Sequence, residues 1–198
     1  YARRNELWDR AINTAERTRS LHDFSLRYLA PYREQFRAYA AEHGLDEAWV
    51  FGLVRQESRF IRDARSSAGA MGLMQLMPAT AKWVAGKLGL TGFRQALVTD
   101  LDINISLGTY YLKYVYDALD NHPVLASAGY NAGPGRARAW RSDGPMEGAV
   151  YSETIPFNET RDYVKKVMAN AVHYARVLGR GMTSLKERLG IIPPRSDR

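Results

Sequence analysis

The chain has 198 residues, 28 Lys+Arg against 21 Asp+Glu and a formal charge of +7, with 45% apolar residues. A chain of this length and apolar content buries its own core, which excludes disorder and low complexity, and it needs no staples. Zero cysteines exclude disulfides, a thiolate zinc site and a cysteine nucleophile, and His22, His43, His122 and His173 form no metal-ligand spacing, so neither metal nor cofactor is expected.

The pattern then reads helix after helix. Leu7, Trp8, Ala11, Ile12 and Ala15 give helical spacing over residues 5–18, and a second helix is expected over Arg33–His43, ended by Gly44. His22–Pro31, without evident caps, is expected to be extended. Asp46 is placed to cap a helix from Glu47 to about Arg59, and Pro78 starts one running to Leu88. Asp100 or Asp102 caps the next, with Ile103, Leu107, Tyr110, Tyr111, Tyr114, Val115 and Ala118 as its expected core face. A short apolar helix over residues 124–132 breaks at Gly133-Pro134, and the last long helix, Thr160–Leu178, carries Tyr163, Val164, Val167, Ala171, Tyr174, Ala175 and Leu178 on one face. Leu185–Leu189 reads as a short helix in a tail expected to pack back on the N-terminal part. No apolar run reaches the length of a membrane span. Because residue 1 is Tyr, the chain is read as a processed or excised piece.

Four stretches carry candidate chemistry. In the helix from Glu47, the apolar series Val50, Leu53, Val54 continues to Glu57, which puts a carboxyl group on the buried side. Desolvation raises the pKa of such a group and makes it a general acid, unless Glu57 turns to solvent beside Arg55 or Arg59. Gly69 to Pro78 combines glycines, methionines and Gln75, whose amide offers the donor and acceptor that an N-acetyl group requires; the alternative is a tight turn with Met in the core. Tyr130 and Asn131 stand against a Gly-Pro-Gly break, where a phenol can hydrogen-bond and orient a buried carboxyl, or simply fill the core. Glu159 opens the last helix, where it can also serve the helix dipole.

Together, Gln56-Glu57-Ser58, Gly72-Leu73-Met74-Gln75, Tyr130-Asn131-Ala132-Gly133-Pro134-Gly135 and Ile155 through Val164 resemble, in order and spacing, the catalytic domain of soluble lytic transglycosylases. The resemblance covers about residues 45–178. It implies a mostly α, lysozyme-like domain, with residues 1–44 as the end of a preceding α-superhelical region and 179–198 as a tail. It also implies cleavage of the MurNAc-GlcNAc β-1,4 bond of peptidoglycan without water, giving 1,6-anhydroMurNAc products. Glu57 then takes the position of the acid and later base, Tyr130 that of the orienting tyrosine, and Ser66, Gln75, Met77, Asn131 and Glu159 fall on glycan-contacting positions. Ser66 is preferred to Ser67 by its spacing from Glu57, and Gly129 replaces the family's commoner alanine. Expected partners are peptidoglycan glycan strands, with other cell-wall enzymes as further candidates; the chain is expected to be a monomer, and the resemblance implies the periplasm. No nucleic-acid partner is expected, since Asp and Glu interleave the basic residues. The alternatives are a goose-type muramidase that hydrolyses the same bond and a non-catalytic peptidoglycan-binding module.

Overall fold

The computed structural model describes residues 1–18, 20, 22–181 and 183–195. Met182 and residues 196–198 of the expected tail lie outside the described residues. The fold is mostly α. A 3-10 turn, Ala2–Asn5, leads into α1 (Trp8–Glu16), followed by α2 (Phe24–Arg27) and α3 (Arg33–Glu42). The central helix α4 (Glu47–Glu57) is joined by a long loop to α5 (Pro78–Lys87) and then α6 (Leu101–Ala118). Next come α7 (Pro123–Ala132), α8 (Pro134–Ala139), β1 (Met146–Glu147), α9 (Gly148–Thr154), α10 (Asn158–Val177), α11 (Leu185–Leu189) and β2 (Ile191–Ile192).

Local chemistry accounts for most of these boundaries. The Asp46 carboxylate accepts from Ala48 N at 2.8 Å and that of Asp100 from Ile103 N at 3.2 Å, each satisfying an N–H that a helix start leaves unpaired. Pro78, Pro123 and Pro134 open α5, α7 and α8. Ser184 and Glu187 form a capping box on α11. Two expectations about the helices fail. His22–Pro31 is not extended throughout, because Asp23 accepts from Leu26 N at 3.2 Å and nucleates the single turn of α2. On α6 the buried residues are Asn104, Ile105, Leu107, Gly108, Thr109, Leu112 and Val115, so the helix is rolled away from the tyrosine stripe and Tyr114 is left at the surface. The roll brings Gly108 against Met74, where a β-carbon would lie 2.3 Å from the Met74 sulfur.

One core runs through the described chain. Helix α4 is buried on every side from Glu47 to Arg55 and packs most extensively against α10. Gly52 makes this possible: a β-carbon there would stand 2.7 Å from the Val167 carbonyl oxygen. On another side of α4, Phe36 of α3 meets Phe51 and Phe60, with ring centroids 5.2 and 6.4 Å away, so the same core continues across residue 44. The last residues do not fold back mainly on the N-terminal part. Instead α11 packs on α7, α9 and α10, β2 pairs antiparallel with β1, and Arg188 reaches Asp46 at 2.5 Å. Among the described residues no helix is long and apolar enough to cross a membrane.

Candidate active site

Helix α4 ends at Glu57. Ser58 stops it by turning its hydroxyl to the Leu73 carbonyl at 2.7 Å, and Arg59 and Phe60 then take left-handed backbone angles, so the chain bends sharply away. The loop that follows is held by Asn104 of α6, a fully buried side chain. It accepts from Met74 N at 2.8 Å and donates to the carbonyls of Val98 at 2.7 Å and Met71 at 3.2 Å. Gly72 is what lets it in, since a β-carbon there would lie 2.1 Å from the Asn104 amide nitrogen. A polar side chain spending its hydrogen bonds on a loop in this way fixes that loop as firmly as a short helix would.

Between this loop, the end of α7 and the start of α10 lies a cavity of about 480 Å³. It brings together all seven residues singled out in the sequence: Glu57, Ser66, Gln75, Met77, Tyr130, Asn131 and Glu159. Ser67 is not part of its wall, whereas Gln56, Asp162, Tyr163 and Lys166 are. Met77 is 44% exposed, while Met71 and Met74 point into the core, so the methionines divide between the two roles considered for them.

Two details depart from expectation, and a third removes the alternative weighed for Glu57. The phenol that donates to Glu57 is that of Tyr163, 2.5 Å from Oε1; Tyr130 donates instead to the Met74 carbonyl at 2.8 Å and so steadies the loop. The sequence marks Tyr163 as part of the apolar face of α10 and of the Ile155–Val164 motif, and neither reveals that its hydroxyl reaches past the core to the cavity. Second, both hydrogens of the Gln75 amide are taken by the Ala64 and Gly72 carbonyls, at 3.1 and 2.8 Å, which leaves only its oxygen to accept from a ligand. Third, Arg55 and Arg59 do not neutralise Glu57. Glu16 of α1 holds them at 2.5 and 2.8 Å.

The electrostatic consequence is a carboxyl group that stays protonated at neutral pH. Burial pushes the Glu57 pKa up to about 8 from 4.5; the Tyr163 hydrogen bond opposes this and the negative charge of Glu159 adds to it. Burial likewise raises the phenols of Tyr130 and Tyr163, so both remain donors. Asn131 accepts from the Thr160 hydroxyl at 2.6 Å, tying the end of α7 to α10 beside Glu159. The described residues contain no cluster of His, Asp and Glu suited to a metal ion. The chemistry open to this arrangement is proton donation to a bound oxygen, followed by proton recovery.

The profile of the transglycosylase SLT domain matches residues 34–148, more than half of the chain. The chain belongs to the SLT-domain family. A second profile, the soluble lytic transglycosylase helical domain, matches residues 154–182 of this SLT-domain protein, a span that includes α10. The soluble lytic murein transglycosylase of Escherichia coli is 35% identical over 182 residues, which covers 90% of this chain and 28% of that protein. Among solved structures, an inactive glutamate-to-glutamine mutant of lytic transglycosylase Slt from Pseudomonas aeruginosa superposes with a TM-score of 0.86 at 39% identity, covering 94% of this chain and 31% of the other. The 70 kDa soluble lytic transglycosylase of Escherichia coli gives a TM-score of 0.82 at 31% identity, covering 95% and 30%. This SLT-domain chain thus spans less than a third of each of these relatives.

Proposed function

We propose that the chain is the catalytic part of a peptidoglycan lytic transglycosylase that cleaves the MurNAc-GlcNAc β-1,4 bond without consuming water. The observation that carries this reading is the Glu57 carboxyl group: protonated at neutral pH, set in a polar cavity, hydrogen-bonded by a phenol and free of the flanking arginines. Its proton passes to the glycosidic oxygen as the C1–O bond breaks, leaving positive charge on the muramyl ring. The muramyl C6 hydroxyl then bonds to C1 and gives its proton to the Glu57 carboxylate, which restores the acid and closes a 1,6-anhydro ring. One group serves both steps because donation creates the base. Tyr163 holds Oε1, which leaves the other oxygen to carry the proton. Ser66, Gln75, Met77 and Asn131 contact the glycan, and Tyr130 holds the loop that carries Gln75 and Met77. No cofactor or metal takes part, and the periplasm is where such a substrate is met.

Residues 45–178 supply every wall of the cavity, which supports treating them as the catalytic unit, with 1–44 as a helical appendage and 179–198 as a tail. A second reading has one observation in its favour. Glu159 is another carboxylate on the cavity wall, and a muramidase of the goose type needs such a base to activate water. Mass analysis of the products from purified sacculi separates the two. Anhydro products lack a reducing end and take up no label from heavy-oxygen water; labelled reducing ends would overturn the transglycosylase reading. Glu57→Gln is expected to abolish cleavage while glycan binding persists.

A further inference from the structure

Beside the cavity, a group of aromatic side chains stands at the surface. Trp83 of α5 is 37% exposed and Tyr114 of α6 is 46% exposed, and their rings meet at 4.7 Å. Tyr111, one turn before Tyr114 on α6, lies 6.5 Å from Trp83 edge-on and 6.4 Å from Tyr114 in a stacked arrangement. Leaving large aromatic surface in water is unfavourable, and soluble chains concentrate such surface where something docks.

Two contacts tie this group to residues of the cavity wall, although none of its three members lines the cavity itself. Tyr111 is half-buried and its ring packs 5.2 Å from that of Tyr130, a cavity wall residue. Met77, exposed on the same wall, immediately precedes α5, and Trp83 follows six residues later, about 9 Å along the helix axis. Exposed Lys82 and Lys87 fringe the patch, with the Lys87 ammonium 6.0 Å from the Trp83 ring, so a polymer bearing negative groups is favoured there. A flat ring with an apolar face and polar edges fits the C–H face of a pyranose, whose hydroxyls stay at the rim in water.

We infer that Trp83, Tyr111 and Tyr114 form a saccharide-stacking subsite that extends the cleft outward past Met77 and grips a glycan strand away from the bond that is cut. This deepens the functional proposal and rests on it. The subsite discriminates by length: a short oligosaccharide fills the cavity alone, and a longer one also reaches Trp83.

The test uses the full chain carrying Glu57→Gln, which binds without cutting, titrated calorimetrically with the trimer and the octamer of N-acetylglucosamine. The octamer is expected to bind more tightly. Adding Trp83→Ala with Tyr114→Ala is expected to remove that advantage, a change of about tenfold in the octamer dissociation constant, with little change for the trimer. Trp83→Phe, which keeps an aromatic face, is expected to retain most of it. An unaltered octamer advantage, or an equal loss for both lengths, overturns the subsite while leaving the functional proposal standing. Failure of the Glu57→Gln chain to bind either oligomer also overturns the subsite, while the functional proposal is decided separately by the product analysis on sacculi.

Discussion

Tyr163 donates its phenolic hydrogen to Glu57 across 2.5 Å, from a helix 106 residues further along the chain. The bond suits both states of the carboxyl group, since Oε1 accepts whether it is the carbonyl oxygen of the acid or half of a carboxylate. It favours the charged form and so restrains the upward push of burial on the Glu57 pKa. On the proposed mechanism the tyrosine positions the acid and also tunes it.

Tyr163→Phe removes that restraint without emptying the core. The Glu57 pKa is expected to rise above about 8, carrying the alkaline limb of the pH–rate profile upward. The rate at the optimum is expected to fall by about 10- to 100-fold as the carboxyl loses its fixed orientation. An unmoved alkaline limb would show that the phenol does not set the proton affinity.

Glu57 also makes stability depend on pH. Its folded pKa of about 8 lies above the 4.5 expected when unfolded, so the folded chain holds the extra proton between those values. The contribution is fully present below the unfolded pKa and is lost as pH rises through the folded one. Glu57→Gln removes this dependence. Thermal unfolding should find the variant close to the parent at about pH 4 and more stable at about pH 9.

Gly52→Ala tests the contact that brings Glu57 and Tyr163 together. The added methyl would sit 2.7 Å from the Val167 carbonyl oxygen and 2.9 Å from Ala171 N, both backbone atoms that cannot swing aside. Separating α4 from α10 is expected to cost about 1–3 kcal/mol in urea unfolding. Activity should fall by more than the loss of folded protein explains.

Glu16→Gln tests the N-terminal clamp. Burial raises the Glu16 pKa, but the hydrogen bonds and charges of Arg55 and Arg59 outweigh it and the net shift is downward. Its stabilising effect is therefore present above the unfolded pKa near 4.5 and lost as pH falls below it. Arg55 is nearly buried, with 7% of its side chain exposed, so losing its carboxylate matters. The cost is expected to be about 1–3 kcal/mol at neutral pH, smaller than for a fully buried pair because Glu16 is partly in water. Denaturant unfolding at neutral and acid pH measures both parts.

The sequence by itself determined the longer helices and their order, though not α2 or α9, since the signals involved act within a few residues. Asp46 reaches Ala48 N, Ser184 reaches Glu187 N, and Pro78 opens its own helix, with no need of the rest of the chain. It also named seven of the cavity's residues, because four separated stretches carry the family's pattern, but not Asp162, Tyr163 or Lys166. What it did not determine is which groups meet. Helix α4 is buried on every side, so the burial of Glu57 owes more to α10 and the Asn104-bound loop than to an apolar stripe. Whether Tyr130 or Tyr163 holds the acid, whether the Gln75 amide is free, and whether Arg55 and Arg59 stay away from Glu57 were decided by packing. Each is a contact of a few ångströms between residues distant in the chain. Helical periodicity states which side of a helix faces inward, and only the tertiary arrangement states what waits there.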